Sequence, residues 1–262
     1  MTKSIQDWIK FKPLLMELVM RDIKIKYRRS ILGVFWTLLN PLLMMLVLSV
    51  VFSSLFKFDI ENFPLYILSG QVIFNFFSES TSISMSAVIT SAPLIKKVYI
   101  PKYLLVFSKI FSSIINLFAA FTALLLVMVV TRAPLHWNVV LFFIPLVFLI
   151  LFSTGVGLIL AAITVEFRDI MHLYSVFITV LMYLTPVIYP MSIFDGSNFA
   201  WVGKIVELNP ITNILSMFRE IMFHGMLPGI GGVIIALVEA LGVFALGMYI
   251  FYKKQDEFIL YI

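Results

Sequence analysis

Apolar residues come in long blocks along this chain. Six runs, at 32–56, 65–87, 104–131, 139–164, 173–189 and 230–252, are dominated by Leu, Ile, Val, Phe and Met. A helix of about 20 such residues crosses roughly 30 Å of hydrocarbon, so each run predicts a membrane span and the fold class is all-α and integral to a membrane. Pro41 and Pro145 fall inside the first and fourth runs. They predict kinks rather than breaks, because neighbouring helices or water can satisfy the freed carbonyls. The stretch 190–228 mixes Phe199, Trp201 and Ile205 with Asn209, Pro210, Arg219 and Gly225, and predicts short helices at the outer surface.

The charges lie between the runs and orient them. An even number of spans leaves both ends on one side. The amino end, 91–103, 165–172 and the carboxyl end together hold fourteen basic residues, against four (Lys57, Arg132, Lys204, Arg219) on the opposite side. Cytoplasmic flanks collect Lys and Arg, so both termini are expected in the cytoplasm. Lys109, near the inner end of the third run, is expected to snorkel toward water. No cleavable leader is expected, since the first long run starts only at Ile31. The divisions expected are an interface helix at 1–30, a six-span domain at 31–253 and a tail at 254–262.

Composition narrows the chemistry. Of 262 residues, 61% are hydrophobic and 13% charged, against about 45–50% and 25% in soluble domains. A water-soluble enzyme is excluded on that ground. With no cysteine, disulfides and thiolate metal sites are excluded too. His136, His172 and His224 are scattered over loops, and neither an H-E-x-x-H nor a G-x-S-x-G pattern occurs. No phosphate loop is present, so the chain is expected to hydrolyse no nucleotide and to hold no catalytic residue, metal or cofactor of its own. The net charge of +5 sits on the inner flanks, which argues against a nucleic-acid groove.

Four features carry candidate function. Residues 12–29 predict an amphipathic helix, with Phe11, Leu15, Val19 and Ile23 on one face and Glu17, Arg21, Lys24 and Arg28 on another. It is expected to lie in the interface plane, as a simple anchor or against a cytosolic partner. The second run interleaves Ser69, Gln71, Asn75, Ser78, Ser82 and further hydroxyls with Phe74, Phe76 and Phe77. Such a helix either packs through its polar groups or lines a wet path. Glu79 and Glu239 fall inside spans, where each needs protein or water beside it. The loop 91–102 sets Lys96 and Lys97 among Leu94, Ile95, Val98 and Tyr99 between Pro93 and Pro101, reading as a charged inner loop or a short docking helix. Glu166-Phe167-Arg168-Asp169 forms a second, shorter inner loop.

Several stretches together resemble the membrane subunit of polysaccharide-exporting ABC transporters, the type-2 export permeases that move lipid-linked O-antigen, capsular polysaccharide or wall teichoic acid. They are Arg21-Asp22-Ile23-Lys24, Tyr27-Arg28-Arg29-Ser30-Ile31-Leu32-Gly33-Val34-Phe35-Trp36, Asn40-Pro41, Leu94-Ile95-Lys96-Lys97 through Pro101, Phe167-Arg168-Asp169, Thr185-Pro186-Val187-Ile188-Tyr189-Pro190, Leu208-Asn209-Pro210 and Phe218-Arg219. Their shared order covers nearly the whole chain.

The resemblance implies a bacterial plasma-membrane protein working as a pair of copies, bound to two copies of an ATPase that holds ATP and Mg. It implies that Pro93, Leu94, Ile95, Lys96, Lys97 and Tyr99 couple to that ATPase, and that 193–223 forms short outer helices re-entering the membrane. The sugar path would run between the copies along the first, second and fifth spans, with Phe35, Trp36, Phe74, Phe77, Glu79, Tyr174, Phe177 and Tyr183 as candidate lining. Arg28 and Arg29 are candidates for a lipid diphosphate, by charge-assisted hydrogen bonds. Three rivals stand beside this reading: a type-2 permease for a drug or smaller lipid, an intramembrane transferase and an ion-coupled carrier.

Overall fold

The computed structural model describes residues 2–28, 30–56, 60, 62–134, 136–194 and 199–261. Arg29 and Lys57 lie outside the described residues. In chain order the helices are α1 Thr2–Tyr27, α2 Phe35–Phe56, α3 Phe63–Met85, α4 Ala87–Thr90, α5 Ala92–Ile95, α6 Tyr103–Val130, α7 Phe143–Thr164, α8 Ile170–Tyr183, α9 Ala200–Glu207, α10 Pro210–Arg219, α11 Ile230–Lys254 and α12 Phe258–Tyr261. A 3-10 turn, Trp137–Phe142, leads into α7, and α10 runs on as a π-helical turn, Glu220–His224. The short helices expected over 190–228 are therefore present.

Among the described residues, four stretches are long and apolar enough to cross a membrane: Phe35–Phe52, Tyr103–Val130, Trp137–Thr164 and Ile230–Lys254. The second run forms the 23-residue α3, long enough but too polar to join them. The fifth run, expected over 173–189, is not one helix. It stops at Tyr183 after 14 residues, because Pro186 excludes its predecessor from helical geometry and Pro190 follows.

The centre of the bundle is α3, which touches α2, α6, α7, α8 and α10. That placement explains its composition. Ser69, Gln71, Ser80, Thr81 and Ser84 are buried, and Thr81 and Ser80 return hydrogen bonds to Phe77 O at 2.6 and 3.2 Å. Beside it, α7 and α11 pack almost backbone to backbone. A Cβ at Gly155 would stand 2.5 Å from Val243 O, and one at Gly247 would collide with the Gly155 backbone. Small residues substitute for hydrophobic attraction where lipid is the solvent, because they let helices approach closely.

The amphipathic face is put to use within the protein: α1 buries Leu15, Leu18 and Val19 and packs along α6. Asp22 meets Lys109 and Tyr27 meets Asn116, so the two helices run in the same direction there. Lys109 does not snorkel to water: Asp22 takes its charge. Leu18 joins an inner core with Ala87, Val88, Ile100, Leu104, Leu158, Ala161, Phe251 and Phe258. The inner loop, α1 and the carboxyl end thus share one apolar nucleus.

Candidate functional site

A cleft of about 940 Å³ opens between α2, α3 and α6. Gln71, Asn75, Ser78 and Ser82 line it from α3, at spacings of four, three and four residues that put them on one helix face. Ser113 and Asn116 of α6 and Thr37 and Asn40 of α2 add further polar groups, while Trp36, Phe74 and Phe76 contribute rings. Gln71 Oε1 and Ser113 Oγ are buried without a hydrogen-bond partner among the described residues. A buried acceptor left unpaired costs about 1–3 kcal/mol, so this wall is prepared for groups that donate and accept hydrogen bonds. The turn leading into α2 is set locally: Ser30 Oγ accepts from Gly33 N at 3.0 Å, and Gly33 takes φ 50°, a region glycine enters without steric cost.

Charges gather where the cleft meets the end of α1. Lys26 Nζ donates to Glu79 Oε1 at 2.5 Å, Asn116 Nδ2 donates to the same oxygen at 2.7 Å, and Tyr27 Oη donates to Asn116 Oδ1 at 3.1 Å. Burial pushes the Tyr27 phenol above its ordinary value near 10. Next to this group, Asp22 accepts from Lys109 at 2.8 Å and from Arg21 at 3.0 Å. The two ion pairs differ in exposure. Lys26 and Glu79 keep 44% and 30% of their side-chain surface, Lys109 and Asp22 only 14% and 10%.

Beside the core that α1 shares with the carboxyl end, Ser91 and Ile100 are buried and hold the ends of the 91–102 loop. Leu94 and Ile95 lean on the inner core, and Pro93, Lys96, Lys97 and Val98 are exposed, with Tyr99 at 88%. The second inner loop is tied to the carboxyl end, Lys254 Nζ donating to Glu166 Oε2 at 2.6 Å. Lys102 donates to Gln255 O.

At the opposite end one buried cation closes the broken fifth run. Arg219 donates to Ser69 Oγ at 3.1 Å, Pro186 O at 2.8 Å, Tyr66 O at 3.0 Å and Val187 O at 3.3 Å. Its guanidinium lies 3.5 Å from the Tyr66 ring centroid. Asn209 caps α10 by accepting from Ile211 N at 3.0 Å and donates to Thr185 Oγ1 at 2.9 Å. Arg219 and Asn209 thereby satisfy carbonyls of the turns that follow α8, Pro186 O and Val187 O by the first and Leu184 O by the second.

Of the candidate path residues, Trp36, Phe74 and Glu79 line the cleft, and Phe35 is exposed just outside it. Phe77 points the other way, buried and stacked on Phe152 at 5.7 Å between centroids. Tyr174 is buried against α3, donating to Thr81 Oγ1 at 2.6 Å and stacking on Phe177; Phe177 and Tyr183 are exposed on the outer side of α8. Arg28 is exposed in the turn after α1, and Arg29 lies outside the described residues. Glu239 reaches Asn213 of α10. Among the described residues, no group of three His, Asp or Glu stands close enough to hold a metal ion. Sequence reasoning missed Asp22, Lys26, Lys109 and Asn116 as a cluster. The signal was available in Glu79, since a carboxylate in a span calls for a cation.

The chain also has relatives. O-antigen export system permease protein RfbA of Myxococcus xanthus is 33% identical over 114 residues, 44% of each chain. A protein of the same name from Klebsiella pneumoniae is 27% identical over 100 residues, 38% of this chain and 39% of its own. The chain thus matches less than half the length of these relatives. The ABC-2 type transporter pattern runs much further, over residues 13–223, from α1 through α10 and the turn after it. Spanning well over half of the sequence, that match shows that the chain belongs to the ABC-2 type transporter family.

Proposed function

We propose that this chain is the permease subunit of an ATP-driven exporter that moves a lipid-linked cell-envelope polysaccharide, of the O-antigen, capsule or teichoic acid type, across the bacterial plasma membrane. The observation that carries the reading is the cleft lining, where the α3 stripe Gln71, Asn75, Ser78 and Ser82 lies beside the ring of Phe74 on the same helix and shares the cleft with Trp36 of α2. Hydroxyls and amides suit a polyhydroxylated chain, and rings pack on the C–H faces of sugars without demanding fixed hydrogen bonds. The names of the relatives point to the same cargo.

In this reading α2, α3, α6, α7, α8 with its following turns, and α11 are the six spans, both ends are cytoplasmic, and α9 and α10 re-enter from outside. Two copies form the path. Each seats its 91–102 loop in a separate ATPase, which supplies ATP and Mg, and the exposed Pro93, Lys96, Lys97 and Tyr99 form the contact. The loop rests Leu94 and Ile95 on the core while leaving Pro93, Lys96, Lys97 and Tyr99 exposed, which supports this role.

Reconstitution tests it. The chain and its nucleotide-binding subunit, in liposomes loaded with lipid-linked glycan, should move glycan only with ATP. Replacing Lys96 and Lys97 with Glu should abolish the stimulated hydrolysis. Export at full rate by this chain alone, or normal complex formation and hydrolysis in the double variant, would overturn the proposal.

A further inference from the structure

Two charges stand at helix ends that disfavour them. Lys102 is the N-cap of α6, where the helix dipole repels a cation, and Glu166 follows the last turn of α7, where it repels an anion. Both are met at one place, the end of α11. Lys102 donates to the carbonyl of Gln255, the C-cap of α11, and Lys254 of its last turn donates to Glu166 Oε2 at 2.6 Å. We propose that the end of α11 is a cross-tie that holds the 91–102 loop and the 165–170 loop as one body, with Lys102 and Glu166 as its positioning residues, so that a displacement of the first loop is delivered to the second. The proposal rests on the reading of the 91–102 loop as the ATPase contact, and adds how its movement reaches α8.

The post to which both loops are tied is firm. Along its length α11 sets Gly247 against the Gly155 backbone of α7. Beyond Gln255 the chain turns back and Phe258 fills the core beside Ile100 and Leu104. Phe258 meets Phe251 edge to face, with centroids 5.3 Å apart and both rings buried. The Lys102 ammonium also lies 5.8 Å from the Phe258 ring centroid, so ring and carbonyl hold it together. The exit of the 91–102 loop is thereby fixed to the end of α11. Further on, Tyr261 shares a cavity of about 550 Å³ with the 165–170 loop.

The consequence is mechanical. Asp169 is the N-cap of α8, so the 165–170 loop leads straight into that helix. Of α8 only Tyr174 is buried, and the helix can follow its loop without breaking a core. The Lys254–Glu166 pair keeps 37% and 31% of its side-chain surface. A pair so exposed adds little to global stability, which lets its loss report on position without unfolding the chain.

Position can be read directly, because the sequence has no cysteine. Spin labels are attached through Lys97→Cys and Arg168→Cys, both exposed, on the full chain in nanodiscs, and the distance between them is measured by double electron–electron resonance. The labelled chain should give one narrow distance. Glu166→Gln should lose it to a broad distribution at an unchanged Tm, and Lys102→Met should lose it too. Lys102→Arg should keep it, and combining Glu166→Lys with Lys254→Glu should restore it. Narrow distances in both neutral variants, or a swapped pair as broad as Glu166→Gln, would overturn the cross-tie. In the complex with the ATPase, Glu166→Gln should lower the glycan moved per ATP about threefold, the shift a pair of this kind supports, with complex formation intact. An unchanged yield would overturn the delivery to α8. The distances are read without an ATPase, so failure of the wild-type complex to export bears on the proposed function, while the distances bear on the cross-tie.

Discussion

Replacing Arg219 with Met removes the guanidinium but leaves its hydrophobic stem in place. What is lost can be followed oxygen by oxygen. Ser69 Oγ donates to Tyr66 O at 2.7 Å, so those two atoms keep each other. Pro186 O retains only a 3.4 Å contact from the Tyr66 hydroxyl, and Val187 O loses its Arg219 donor. Two stranded carbonyls at about 1–3 kcal/mol each, offset by no longer burying a charge, leave a net loss of about 3 kcal/mol. For a chain of this length that is a fall in Tm of roughly 6–12 °C. Arg219→Lys keeps the charge but cannot fork to four acceptors, and should fall between wild type and Met. The assay is thermal unfolding in detergent, paired with maleimide labelling of a thiol introduced at Val187, which the cysteine-free sequence makes unambiguous. Labelling should quicken in the Met variant. An unchanged Tm with unchanged labelling would refute the view that Arg219 closes the end of α8.

Two further outcomes follow from the packing. Asp22→Asn leaves Lys109 largely enclosed with its partner's charge removed, and should cost about 2–3 kcal/mol, read as a lower Tm and as faster proteolysis of α1. Proteolysis at the wild-type rate would mean that the knot does not hold α1. Gly247→Ala drives a methyl into the Gly155 backbone and should destabilise by about 1–3 kcal/mol, whereas Gly231→Ala, on the same helix in open space, should gain up to about 1 kcal/mol; equal effects at the two sites would show that α7 and α11 do not approach as described.

The helices were legible because their signals are local. Runs of apolar residues predicted α2, α6, α7 and α11 to within a few residues, and the four-residue spacing of Phe11, Leu15, Val19 and Ile23 predicted α1. The early end of α8 was legible in principle from Pro186. Ring chemistry, by contrast, could not separate Trp36 from Phe77. Both are aromatics in or beside apolar runs, yet one faces the cleft and the other stacks on Phe152, because only the angular position of each on its helix relative to α6 and α7 decides.

The sequence by itself determined that this is a helical membrane chain, where its long apolar helices α2, α6, α7 and α11 run, which loops carry charge and which family it resembles, since hydropathy, turn residues and motif order all act over a few neighbouring positions. Only the tertiary structure decided that Lys26 meets Glu79 across 53 positions and that Arg219 serves carbonyls about thirty positions away. It also decided that α1 packs its apolar stripe along α6. Those partners are chosen by the burial of charge and backbone polarity in a low-dielectric interior, where an unpaired group is costly and the group that satisfies it is set by the packing of whole helices.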